Sequence, residues 1–442
     1  MNEVALPYLH HILHYTPEPK LGEFGNPWVP LFDSHLTALA LRRDKARHIK
    51  HMTIPVDGRY NRSVADLQHS IHILHLPAND KDIMAEAIMA EWRQYRLLLR
   101  DAVNLTHLTI GQHDATVVMP PRSTPSPVFG FPALRVLQVK GCHLASVNRF
   151  DRLVDIFLAA PALREFYLID GAFDDPDEPD VLTLHPNLFA NLTHLALSCH
   201  HYQTANLVRL LSQIDALQTF NFVLSRPVQP QDDMVHQGIS QYHESPEQRR
   251  TRHDAHSGRV LHQLLTALHT HHRTTLRALS IDYKRSGLME HLSPLDPIPP
   301  PGFAQHSFAD FTVLESLFLN IDPFLRANPE RYPLASLLPA SIRRLHLVYL
   351  TEGFADIILL DLCRELEEGR FPRLREVAAA YPWTECAERP PCRCRMRRFP
   401  EEKQQMRNTQ RWVGRLDGEW KERGIKCRVL NEVVGNVVYE WR

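Results

Sequence analysis

The chain has little of what would assign it quickly: no charge imbalance, no long apolar run, no cysteine framework. Its 442 residues carry 50 Lys plus Arg against 51 Asp plus Glu, a formal net charge of −1. That balance argues against a broadly basic nucleic-acid binder, which needs an excess of cations to displace counterions. No stretch reaches the roughly 18 or more apolar residues of a membrane span. The opening MNEVALPYLHHILHYTPEPK has no basic lead followed by an apolar core, so no secretory signal is expected. Seven cysteines, an odd number in a long chain, do not form a secreted disulfide scaffold. The expected setting is intracellular, cytoplasmic or nuclear, away from any membrane. The sequons at Asn61, Asn104 and Asn191 are expected to stay unmodified, and the last two are assigned to strands.

Motifs of site chemistry are also missing. There is no GxxxxGK[ST] loop, no GxGxxG opening a helix, no GxSxG elbow, no HExxH helix and no paired CxxC. No catalytic residue, cofactor or metal ligand is therefore expected. The carboxylates of DDPDEPD, Asp174 to Asp180, lack the glycine and terminal glutamate of an EF-hand and read as a solvated turn. Cys386, Cys392 and Cys394, with Cys427 downstream, are spaced CxxxxxC and CxC, which does not fit a zinc knuckle. The 27 histidines are scattered and read as surface and loop residues whose titration makes the surface charge pH-sensitive. A hydrolase or metal enzyme is the weaker class of function.

What is present is a period. The stretches NLTHLTI, ALRVLQV, ALREFYL and NLTHLAL begin on Leu105, Leu134, Leu163 and Leu192, at intervals of 29 residues each (134−105, 163−134, 192−163). Apolar residues return at the first, fourth and sixth positions: Leu105, Leu108, Ile110; Leu134, Leu137, Val139; Leu163, Phe166, Leu168; Leu192, Leu195, Leu197. A short alternating strand recurring at this interval predicts a leucine-rich solenoid. Between strands the apolar spacing changes to that of a helix. Phe150, Leu153, Val154, Phe157 and Leu158 share one face, as do Leu207, Leu210, Leu211 and Ile214. Neither half buries its apolar side alone, so stacking predicts an α/β horseshoe with a parallel sheet on the concave face and helices on the convex face. In LRVLQVKGCHL, Cys142 occupies a place beneath the turn and reads as structural.

Three parts are expected. Residues 1–45 form an entry cap in which LPYLHHILHY reads as a short amphipathic helix. Residues 46–380 form the array, starting with a helix and the strand of Ile49, Met52 and Ile54. A helix presenting Ile88, Trp92, Tyr95 and Leu99 follows. Further rungs are ALQTFNF, TLRALSI, VLESLFL, SIRRLHL and RLREVAA, with helices carrying Leu261, Leu264, Leu265 and Leu268, and later Phe354, Ile357, Ile358 and Leu362. Residues 226–258, rich in Pro, Gln, His and charge, read as a mobile insertion. Residues 381–442 form a C-terminal cap ending in strand-like IKCRVL and GNVVYEW.

With these elements placed, the chain resembles leucine-rich-repeat proteins of the irregular kind joined to F-box domains in fungi. The repeat resemblance spans roughly residues 46–380; the F-box association rests on the entry segment LFDSHLTALALRRDKARHIKHMTIP. The resemblance implies a substrate-recognition subunit of a cullin-type ubiquitin ligase, with a ligase adaptor as partner. No recognisable F-box of about 40–50 residues precedes the repeats, only an LP and some leucines. The expected function is therefore a non-enzymatic scaffold binding a protein partner on the concave face. Side-chain alternation along a strand turns the third, fifth and seventh positions outward there. That places Tyr167, Phe318, Arg344, His346, Gln138 and Lys140 as candidate partner-binding residues, exposed beside His107, His194 and Asn221. Aromatic and arginine side chains in such positions are the usual centres of binding hot spots.

Overall fold

The computed structural model describes residues 12–14, 46–54, 98–111, 130–140, 154–172, 187–201, 204–224, 261–283, 307–320, 334–348, 361–380 and 420–430. The chain divides into two compact units, Met1–Asn206 with Gln213–Asp215, and Leu207–Ser212 with Ala216–Arg442. Each is built as an open row of parallel strands in chain order, with helices between them.

In the first unit the described strands are β1 (Ile12–His14), β2 (His51–Ile54), β3 (His107–Gly111), β4 (Val136–Lys140), β5 (Glu165–Ala172) and β6 (His194–His201). Each pairs parallel with the next. The register follows the repeat, so that Met52, Leu108, Leu137, Phe166 and Leu195 stand side by side. All five are buried, as are Ile110, Val139, Leu168 and Leu197 two residues on. The second unit repeats the scheme with β7 (Thr219–Leu224), β8 (Ala278–Tyr283), β9 (Ser316–Asn320), β10 (Arg344–Val348), β11 (Glu376–Ala380) and β12 (Lys426–Leu430). Its core row is Phe220, Leu279, Leu317, Leu345 and Val377. This is an α/β repeat with an all-parallel sheet.

Two backbone devices recur in both units. The amide of the leading apolar residue donates to the carbonyl three residues earlier, as in Leu134 to Phe131, Leu192 to Phe189 and Leu374 to Phe371. The residue at that earlier position is itself buried: Ala46, Ala102, Phe131, Ala160, Phe189, Phe311 and Phe371. Next, the carbonyl of the second residue of one rung accepts two amides of the following rung. The Arg135 carbonyl takes Arg164 N and Glu165 N, each at 2.9 Å, and the Arg343 carbonyl takes Arg375 N at 2.8 Å and Glu376 N at 3.0 Å. These bonds tie the described strand entries to the preceding rung within each unit and give their carbonyls donors.

The helices cover the core side. Helix α1 (Val154–Ala159) sets Phe157 edge-on to Phe166, with ring centroids 4.9 Å apart, and to Phe189 at 4.8 Å. Helix α2 (Thr204–Gln213) and the helix over residues 261–272, α3, bury Leu207, Leu210, Leu211, Leu261, Leu264, Leu265 and Leu268 as their spacing required. A short helix, α4 (Leu334–Leu337), and one over 361–367, α5, follow. No helix among the described residues is long and apolar enough to cross a membrane.

Several expectations need correction. LPYLHHILHY reads as a helix, yet Ile12–His14 is strand β1, paired parallel with β2, whose edge supplies the backbone partners. Leu158 is 52% exposed and Ile156 fully buried, so α1 turns a different face to the core than its apolar pattern indicated. Asn104 and Asn191 stand in the turns before β3 and β6, not within strands. Histidines are not confined to surface and loops: His272 and His346 are buried. The insertion 226–258, the helix over Ile88 to Tyr95, Cys142, Asp174–Asp180, Cys386, Cys392, Cys394 and GNVVYEW lie outside the described residues.

Candidate functional site

The candidate face is the side of each sheet opposite the leucines. Alternation puts the third and fifth rung positions there. In the first unit its fifth-position row is Thr53, Thr109, Gln138, Tyr167 and Ala196 in register; in the second it is Asn221, Ser280, Phe318, His346 and Ala378. The six candidates fall three to each unit: Gln138, Lys140 and Tyr167 on β4 and β5, and Phe318, Arg344 and His346 on β9 and β10.

Their expected exposure is wrong for all but one of the candidates whose side chains are described. Gln138 and Tyr167 are each 8% exposed, His346 7%, and Phe318 0%; Asn221 is buried as well. Parallel strands stand about 4.8 Å apart, so a side chain on this face is flanked on both sides by the same position of its neighbours. The row packs as a second ladder rather than standing free, which agrees with the general tendency of parallel sheets to be buried on both faces. Arg344 is the exposed one. His107 and His194 are half-buried, and the Lys140 side chain lies outside the described residues.

Within the first unit, Gln138 accepts from Thr109 Oγ at 3.3 Å, and the Tyr167 hydroxyl donates to Glu165 Oε2 at 2.8 Å. One row over, His51 and His107 stack with centroids 4.1 Å apart. The NLTHL motif explains two of the histidines. In both copies the asparagine amide reaches a carbonyl of the preceding turn: Asn104 Nδ2 donates to Arg47 O at 2.8 Å, Asn191 Nδ2 to Pro161 O at 3.3 Å. The threonine hydroxyl donates to the neighbouring rung, Thr106 to Lys50 O at 3.0 Å and Thr193 to Arg164 O at 3.3 Å. The same hydroxyl stands 2.9 Å from Nδ1 of the following histidine, fixing His107 and His194 in matching poses.

Within the second unit the candidates form one cluster. The rings of Phe318 and His346 meet edge to face at 6.4 Å. His346 Nε2 stands 3.4 Å from Glu376 Oε1, an ion pair whenever the imidazole is protonated. Arg344 Nε donates to Ser316 Oγ at 2.7 Å, holding the guanidinium over the start of the two strands. The cluster thus presents an anchored arginine and a carboxylate beside a buried Phe318–His346 pair.

Three features escape a reading of the sequence alone. The buried residue three before a leader left a signal in four rungs, a recurring Phe in FPAL, FANL, FTVL and FPRL. His272 gave no signal; it is fully buried, its Nε2 2.8 Å from the Leu211 carbonyl. Burial pushes this imidazole below the ordinary histidine range, the Leu211 hydrogen bond opposing the shift and the neighbouring His271 adding to it. Trp420 is buried with its indole Nε1 donating to Cys363 Sγ at 3.0 Å, closing the last rung onto α5. Among the described residues no group of three or more His, Cys, Asp or Glu side chains could hold a metal ion. Cys427, the described member of the cysteine set, lies in β12.

No family model matches the chain, and no curated protein matches it.

Proposed function

We propose that the protein is a non-enzymatic scaffold of leucine-rich-repeat type that binds a protein partner on the sheet face opposite the leucines. The repeat type is supported by the L-x-x-L-x-L register, in which leader, fourth and sixth positions are buried in rung after rung. The binding reading is supported by one cluster, Arg344 and Glu376 in the row beside Phe318 and His346. An arginine whose fork is already oriented by a hydroxyl loses little freedom on docking and can engage a carboxylate or a carbonyl of a partner. Because Phe318 and His346 are buried, their part is to shape and stiffen the cluster; direct contact falls to Arg344.

The test is a capture experiment from cell lysate with the full chain and with Arg344→Ala in parallel. A protein retained by the parent and lost with the variant supports the reading. If that protein is a cullin-ligase adaptor or the set includes a cullin, the ligase receptor implied by the F-box resemblance becomes the better description. If every captured protein binds both forms equally, the face is not the binding surface.

A further inference from the structure

A second surface lies where the strands begin, and it concerns the second unit alone. The residue just before each strand forms a row joined by the shared-carbonyl hydrogen bonds: Arg277 to Glu315, Glu315 to Arg343, Arg343 to Arg375. All three arginines are exposed. The side chains of Arg277 and Arg375 make no hydrogen bond or ion pair with any described residue. Arg343 meets only Glu315, at 3.6 Å and with its own side chain half exposed. So an edge of three cations and one acid sits on a chain whose formal charge is −1.

We propose that this edge docks an acidic polypeptide segment, rich in Asp and Glu. Neighbouring rungs are about 4.8 Å apart, so Arg343 and Arg375 start about 4.8 Å apart and Arg277 about 9.6 Å from Arg343, while same-side residues of an extended segment recur about every 6.6 Å. The long, flexible arginine side chains span that difference, so carboxylates on a segment crossing the rungs come within their reach. The cations of the row are arginines, whose planar fork matches a carboxylate through two parallel hydrogen bonds. A nucleic acid fits less well: the near-neutral chain supplies no broad positive field around the row to take up a phosphate backbone. The surface is distinct from the Arg344 cluster and does not depend on that cluster binding anything.

The test uses the purified full chain and a fluorescent Glu-rich peptide at low salt, read by anisotropy, with a single-stranded RNA of equal charge as comparison. The double variant Arg277→Ala with Arg375→Ala removes two exposed side chains that form no hydrogen bond or ion pair with a described residue, and its denaturation midpoint serves as the check on folding. Arg364→Ala, on helix α5 and paired with Asp361, removes a cation away from the row. The expected result is peptide binding that weakens roughly fivefold or more in the double variant, with a shallower salt dependence. Arg364→Ala should leave it unchanged. Absence of peptide binding at low salt, equal binding by parent and double variant, an equal loss in Arg364→Ala, or tighter binding of the RNA would each overturn the proposal.

Discussion

The imidazole of His272, at the end of α3, donates from Nε2 to the carbonyl of Leu211 in α2 across 2.8 Å, with both groups buried. A helix leaves its last carbonyls without amide partners, and here a side chain from the next helix supplies one. The bond fixes the tautomer: Nε2 holds the proton and Nδ1, which is buried without a hydrogen-bond partner, is bare. Adding a second proton would bury a charge and an unsatisfied donor together.

This gives a stability prediction with a definite sign. The folded pKa of His272 lies below the unfolded one, chiefly through burial. Well above the ordinary value of about 6.5 both rings are neutral and the contribution is complete. As pH falls below that value the unfolded ring takes up its proton first, so stability declines until the folded ring also titrates, at no more than about 1.4 kcal/mol per pH unit. Urea denaturation at pH 7.5 and pH 5.5 should show a smaller loss for His272→Gln, which does not titrate, than for the parent. Equal losses would remove His272 as the source.

The core rungs give the largest effects. Leu137→Ala and Leu195→Ala should each cost about 2–5 kcal/mol, from lost burial and the cavity left behind. Leu158→Ala, on the exposed side of α1, should stay within about 0.5 kcal/mol. Denaturant midpoints on the three variants check the register directly; similar values for all three would contradict it.

That register was legible because it depends on residues that recur. Leu105, Leu134, Leu163 and Leu192 repeat at a fixed interval, and the alternation within each rung decides which residues meet across strands. Strand β1 was not legible, since Leu9, Ile12 and Leu13 have the i, i+3, i+4 spacing of a helix, and only the waiting edge of β2 overrides it. Nor was the burial of Phe318 and Gln138. Alternation tells which face a side chain takes; how deeply neighbours at the same position enclose it depends on the side chains two rungs apart, which no single segment contains. The role of His272 depends on a carbonyl 61 residues away, a distance at which local pattern is silent.

The asparagine of NLTHL should matter for stability despite its exposure. Asn104→Ala removes the bond to the Arg47 carbonyl and should cost about 0.5–1.5 kcal/mol. Asn104→Asp keeps the shape but cannot donate, and should recover none of it. Thermal melts of the two variants decide; a melting temperature restored by aspartate would mean that shape, not the hydrogen bond, is what counts.

Gly369 follows helix α5 with φ of +76°, and its amide donates to the Leu366 carbonyl at 3.1 Å. A side chain there would meet nothing within 4 Å, so the only cost of adding one is the left-handed backbone. Gly369→Ala should destabilise by about 1–2 kcal/mol, and Gly369→Asn by less, because asparagine tolerates this region better. Chemical denaturation of the pair checks the order.

The shared carbonyls at the strand entries also bear on how the chain is made. Within each unit a strand binds the one synthesised just before it, as Leu137 binds beside Leu108 and Leu195 beside Phe166, each 29 residues on. Among the described strands of a unit each waits only for the one before it, so the loops close one at a time and the entropic cost of pairing is met in steps. A growing polypeptide can therefore lay each rung on a finished one as it leaves the ribosome, each completed edge serving as the template for the next.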